Sequence, residues 1–100
     1  MNEKPIDLFT SKEYRFLHWL IEQPCIELNG NQVVRMSQPQ LAKAYGVSPT
    51  TVFHWIENLK DVNCIVMNNK KSGYIVTPTG HSVIAKLKEL ESVMDKEALP

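Results

Sequence analysis

A chain of 100 residues with 43% apolar and 22% charged side chains is long enough for one domain with a modest core, and too apolar for intrinsic disorder. Eleven basic and eleven acidic residues cancel to a net charge of zero, so attraction to nucleic acid or an anionic surface by bulk charge is excluded and only the placement of charges carries information. No apolar run approaches the ~18 residues that a bilayer crossing needs, and the polar start MNEKPID has no signal-peptide character; a cytoplasmic protein without membrane contact is expected.

One domain is expected over residues 1–100, with residues 1–9 flexible. The first ordered element is a helix from about Ser11 to Gln23, ended by Pro24. Thr10 and Glu13 form a T-x-x-E capping box, and Phe9 and Tyr14 stand where a hydrophobic staple places them. Phe16, Leu17, Leu20 and Ile21 make its apolar face. Trp19 is left beside that face, with two readings open: a partner surface, or partial burial against the carboxy-terminal helix. Next, Cys25 to Leu28 is extended, Asn29-Gly30-Asn31 is a turn, and Val33 to Met36 is a short β-branched strand. Cys25 and Cys64 lack C-x-x-C spacing, so both are expected to be buried reduced thiols, with no metal site and no cofactor.

Ser37 to Leu59, SQPQLAKAYGVSPTTVFHWIENL, organises the rest. Ser37 caps a helix, Gln40 completes an S-x-x-Q box and Pro39 is tolerated in the first turn. The helix runs to about Tyr45, and Gly46 leaves it through a left-handed conformation that costs glycine little. Ser48 is a second cap, and Pro49 opens a helix to about Lys60. Leu41, Ala42 and Tyr45 line one face of the first helix, Val52, Trp55, Ile56 and Leu59 one face of the second, and Val47 plugs the turn. Over residues 37–60 this is the pattern of a helix-turn-helix, whose second helix enters the DNA major groove; an αα-hairpin without nucleic acid needs the same caps and spacing.

Residues 64–77 predict a hairpin, Cys64-Ile65-Val66-Met67 and Tyr74-Ile75-Val76-Thr77 around a polar loop carrying Lys70 and Lys71. Following a helix-turn-helix, such a hairpin is a wing whose cations reach phosphates. Thr77-Pro78 then caps a last helix over residues 78–96, with Val83, Leu87, Leu90 and Met94 spaced four, three and four apart. That stripe outruns what so small a body can cover, so with the amino-terminal helix it is expected to form a homodimer interface, Trp19 included. Residues 1–31 carry a net charge of −2, 32–80 of +3 and 81–100 of −1. The cationic surplus lies with the candidate DNA-binding elements, and its small size favours dimers, in which contacts add.

Helix, strand, helix, helix, hairpin and helix give a mostly helical α+β chain that resembles the winged-helix regulators of the MarR and PadR kind. Thr77-Pro78-Thr79-Gly80 is similar to the T-x-x-G that follows the wing in many of them. The chain also resembles TubR-type partition adaptors, through Thr51-Val52-Phe53 and the final helix. These resemblances imply a homodimer on double-stranded DNA: a transcriptional repressor with the transcription machinery as protein partner, or alternatively a centromere-binding adaptor of plasmid or phage partition with a filament as protein partner. A winged helix used only for protein contact is the rival.

By helix geometry the face opposite the buried stripe shows Thr50, Phe53, His54 and Glu57, with Thr51 and Asn58 beside them; the DNA-facing set is Thr50, Phe53, His54, Thr51, Asn58 and the cap Ser48, together with Lys70 and Lys71 of the wing. His54 either contacts DNA or faces solvent without a role. Phe53 either meets a thymine methyl or is a core or interface side chain, which would rotate the reading face by one residue. No arginine lies on this helix, which leaves more to backbone contacts and DNA shape. His18, His54, His81 and the two cysteines match no metal spacing, and no nucleophile triad, carboxylate pair or phosphate loop is present, so no enzyme activity is expected.

Overall fold

Helices begin in this chain where a short polar side chain takes up the free N–H groups of a first turn. The computed structural model describes residues 10–28, 30–68 and 73–96. Helices α1 (Lys12–Ile21), α2 (Gln38–Tyr45) and α3 (Pro49–Asp61) follow Ser11, Ser37 and Ser48, each in extended backbone and each accepting, through its side chain, the N–H three residues on. At α2 the Gln40 side chain accepts in return from the Ser37 N–H at 2.8 Å, which closes the expected box.

The cap of α1 differs from the expected Thr10–Glu13 box. Ser11 is the capping residue, and a Glu13 carboxylate oxygen accepts instead from Asn58 Nδ2 on α3 at 2.8 Å. Phe9 lies outside the described residues.

Gly46 sits at φ 88°, ψ 33°, and its N–H and that of Val47 both donate to the Ala42 carbonyl, at 2.8 and 3.0 Å. This left-handed exit turns the chain between α2 and α3.

Strands β1 (Ile26–Leu28), β2 (Asn31–Val34), β3 (Ile65–Met67) and β4 (Tyr74–Val76) form an antiparallel sheet in the order β1-β2-β4-β3. The expected extended segment ending at Leu28 and the turn at Gly30 are present as β1 and the tip of a hairpin, but β2 is shifted towards the amino terminus from the expected Val33 to Met36. The cause is register: Leu28 pairs with Asn31 across Gly30, at φ 82°, so β2 begins at the turn and ends at Val34, which pairs with Tyr74. Val33 and Val34, on opposite faces of this interior strand, are both buried. The β3–β4 hairpin matches the expected wing strands, and the Asn68 N–H donates to the Gly73 carbonyl at 2.9 Å at its base.

Helix α4 (Pro78–Lys96) starts on a tight junction. Thr77 Oγ1 donates to the Asn63 carbonyl at 2.6 Å and accepts from the Gly80 N–H at 3.0 Å, while the Thr77 N–H donates to the Cys64 carbonyl at 2.9 Å. A Cβ on Gly80 would collide with that same Cys64 carbonyl and stand 2.8 Å from Val76 Cγ1. Thr77-Pro78-Thr79-Gly80 therefore fastens the last helix to the chain leaving α3 and to the end of the wing.

Phe16, Leu17 and Leu20 of α1, Leu41 of α2, Val52 and Ile56 of α3, and Ile65 of β3 are all but fully buried, and with Ile84 of α4 they make one core that joins the four helices to the sheet. The architecture is a mostly helical α+β winged helix. Trp19 is half-buried, and its ring meets Phe16 and Tyr45 at 5.7 and 5.1 Å, on α2's side of α1. Cys64 is buried and its thiol pKa is pushed up by desolvation. Cys25, expected to be buried too, is exposed: it follows Pro24 in the surface connection between α1 and β1.

Candidate nucleic-acid interface

The turn at Gly46 sets α3 against α2 so that one stripe of α3 is buried and the opposite stripe projects. Val52 and Ile56 are almost fully buried and Leu59 nearly so. Trp55, half-buried, is clamped by Phe16 and Tyr45 with centroid distances of 5.5 and 5.7 Å. These contacts fix the rotation of α3.

Phe53 is consequently 45% exposed and is not a core side chain. Thr50 and His54 are exposed on the same face, and the rings of Phe53 and His54 meet edge to face at 5.6 Å. Glu57, the acid of this face, is half-buried and paired to Lys60 at 3.1 Å, which offsets its repulsion of phosphate.

The remaining members of the expected set have other partners. The Ser48 hydroxyl caps α3 through the Thr51 N–H at 3.1 Å and is shared with the Thr51 hydroxyl at 2.8 Å, so both hydroxyls hold the helix start. Asn58 is exposed, but its amide donates to Glu13, which ties the far end of α3 to α1 and turns that group away from the projecting face. Lys70 and Lys71 lie outside the described residues.

Arg35 and Lys43, which sequence reasoning did not single out, are exposed cations in this region. Arg35 follows β2 and precedes the Ser37 cap. A Cβ on Gly73, where φ is 106°, would stand 2.9 Å from Arg35 Cα and collide with the Val34 carbonyl, so the base of the wing rests directly on this segment. The pairing of Val34 with Tyr74 is the signal that places Arg35 beside the wing, and it depends on a register that composition does not display.

On the other side of α3, between the start of α1, the end of α3 and the start of α4, lies a cleft of about 660 Å³ lined mainly by Tyr14, Leu17, Leu59, Val62 and Val83. Burial and, secondarily, the Glu91 carboxylate raise the Tyr14 pKa. Among the described residues no group of three or more His, Cys, Asp or Glu side chains is placed to hold a metal ion, and no helix is long and apolar enough to cross a membrane.

The family model described as Firmicute plasmid replication protein (RepL) matches residues 4–90. No curated protein matches the sequence. Among solved structures, the chain is similar to a MarR family protein of Mycobacterium tuberculosis, with 16% identity, 90% of this chain and 60% of that one covered, and a TM-score of 0.61. It is similar to a CRP/FNR family transcriptional regulator of Thermus thermophilus, with 22% identity, coverage of 87% and 43%, and a TM-score of 0.60. It is similar also to ScaR with bound Zn2+, with 23% identity, coverage of 78% and 33%, and a TM-score of 0.58. The chain thus spans between a third and two thirds of the length of these structures, and what they share with it is the fold.

Proposed function

We infer the function from one premise: the chain belongs to the RepL family, Firmicute plasmid replication proteins, matched over residues 4–90. On that premise it is a double-stranded DNA-binding protein of plasmid replication that recognises a site on the plasmid through α3. The observation that carries this reading is the projecting face of α3, where Thr50, Phe53 and His54 stand free of the core at the capped end of the helix. Thr50 bonds base edges or phosphates, Phe53 meets thymine methyls, and Arg35, Lys43 and the lysines of the wing bind the backbone.

Two copies on one duplex multiply a cationic contact that is modest in each. The chain acts by binding and carries out no covalent step. Repression of transcription from the same bound site is a second reading, favoured by the regulators that share the fold.

Fluorescence anisotropy with a duplex from the plasmid's replication origin and a scrambled duplex, over a salt series, tests the reading. Origin DNA is expected to bind more tightly than scrambled DNA. Thr50→Ala and Phe53→Ala should reduce that preference, and Lys70→Ala with Lys71→Ala should weaken binding to both duplexes and flatten the salt dependence. Equal affinity for the two duplexes, unchanged by any of these variants, would sink it.

A further inference from the structure

We propose that the cleft on the far side of α3 is the docking site of the segment that precedes α1, residues 4–9, with Leu8 and Phe9 as its anchors. The chain enters the described fold on the rim of that cleft, because Ser11, Glu13 and Tyr14 all line it. At Ser11 the backbone is extended, with φ −82° and ψ 167°, so the chain turns off the axis of α1 at this rim.

The cleft offers apolar surface from three helices. Tyr14 and Leu17 come from α1, Leu59 and the adjoining Val62 from the end of α3, and Val83 from the start of α4. Val62 is 62% exposed and Val83 36%, so large apolar side chains stand open on two of its sides. A groove of about 590 Å³ along α4 shares Thr79 and Val83 with the cleft and carries its lining on to Leu87. Contiguous apolar surface of this kind marks a place where another segment binds.

Composition, capping and reach name the occupant. Ile6, Leu8 and Phe9 are three large apolar residues within four positions, directly before Thr10. A hydrophobic staple joins the residue before the cap to the fourth of the helix, and with Ser11 as cap those positions fall on Thr10 and Arg15. Phe9 and Tyr14, the pair that a cap at Thr10 would have joined, have no place in that motif, and Tyr14 lines the cleft instead. At 3.3–3.6 Å per extended residue, Phe9 lies within ~7 Å of Ser11 and Ile6 within ~18 Å. The apolar surface at that range is the one that Ser11 itself lines. The family match begins at residue 4, so the segment is part of the unit that the family shares. A second copy or a separate partner would have to displace a segment tethered at the rim, whose effective concentration there is roughly millimolar.

Docking adds a second tie between α1 and the end of α3, beside the bond from Asn58 to Glu13. It involves no DNA, and its test contains none. In nuclear magnetic resonance spectra of the full chain, Overhauser contacts are expected from the Leu8 methyls and the Phe9 ring to the methyls of Leu59, Val62 and Val83. Phe9→Ser should abolish them and shift the Val62 and Val83 methyls, while those of Val52 and Ile56 in the core stay in place. In a Cys25→Ser background the same substitution should speed the reaction of Cys64, which lines the cleft, with an aromatic disulfide reagent. The expected factor is about tenfold or more, as the loss of one buried aromatic from a local opening equilibrium implies. The contacts in the parent chain decide the matter even if Phe9→Ser does not fold. Their absence would overturn the proposal. So would contacts seen only between differently labelled chains in a mixed sample, which would give the cleft to a second copy. Anilinonaphthalene sulfonate that shifts the Val62 and Val83 methyls without disturbing Leu8 and Phe9 would overturn it too, by giving the cleft to an external apolar ligand.

Discussion

Gly80→Ala sets two physical effects of opposite sign against each other. Inside a helix, alanine is favoured over glycine by ~1 kcal/mol, so propensity alone makes the variant more stable. Here, however, the added methyl would collide with the Cys64 carbonyl and stand 2.8 Å from Val76 Cγ1. Neither neighbour is the end of a flexible chain: Val76 is in β4, and the Cys64 carbonyl accepts from the Thr77 N–H at 2.9 Å. Forcing an extra carbon into such a contact costs about 1–3 kcal/mol. Moving the helix start to relieve it loosens the bonds of Thr77 Oγ1 to the Gly80 N–H and the Asn63 carbonyl, at roughly 1 kcal/mol each. The net expectation is destabilisation by about 2 kcal/mol, equivalent for a domain of this size to a fall in Tm of roughly 8–16 °C. Thermal and urea unfolding followed by circular dichroism measure it. A variant as stable as the parent, or more so, would refute the claim that the T-x-x-G sequence is a close-approach device and not a generic helix start.

Two further expectations concern the ends and the burial of helices. Ser37→Ala removes one half of the reciprocal cap of α2 and should cost about 1 kcal/mol in urea unfolding, whereas Ser37→Asp, which keeps an acceptor at the cap, should cost much less; equal losses in both would argue against the cap. Burial raises the pKa of Tyr14, helped by Glu91, and of Tyr45, partly opposed by Arg15, so in the folded state both phenols hold their protons above the ordinary tyrosine value of 10.0. The unfolded chain then binds fewer protons than the folded one above that pH, and stability present below it is lost as pH rises through the folded values. Urea midpoints should fall more steeply above about pH 10 in the parent than in a Tyr14→Phe, Tyr45→Phe variant; identical slopes would count against it.

What was legible in the sequence was whatever local chemistry decides. Ser37 with Gln40, Gly46, Ser48 with Pro49, and Thr77 with Pro78 each fix a helix boundary through a bond or dihedral within four residues, and α2, α3 and α4 begin where those residues place them. Long-range competition was not legible. Thr10-x-x-Glu13 reads as a cap, but Ser11 takes the role and Glu13 bonds Asn58, 45 positions away. The shift of β2 has the same origin, since pairing with Leu28 on one side and Tyr74 on the other overrides the β-branched composition of Val33 to Met36. Within the candidate site, helical periodicity places Thr50, Phe53 and His54 together. It does not show that Asn58 and Thr51 are engaged elsewhere, or that Arg35 lies under the base of the wing.

The engaged side chains say something about how α3 is held. Asn58 fastens its far end to α1, the rings of Phe16, Tyr45 and Trp55 fasten its middle to α1 and α2, and Ser48 with Thr51 closes its start. A reading helix fixed at three points cannot roll to suit different grooves without breaking a hydrogen bond or an aromatic contact. α1 also carries Tyr14 against the region of Glu91 on α4, so the packing that supports α3 extends to the last helix. On the proposed reading, with two copies on one duplex, each copy would then present Thr50, Phe53 and His54 in the same fixed orientation. On the proposed reading, discrimination between DNA sites therefore rests on the few side chains of this face and on the packing that holds them in one orientation.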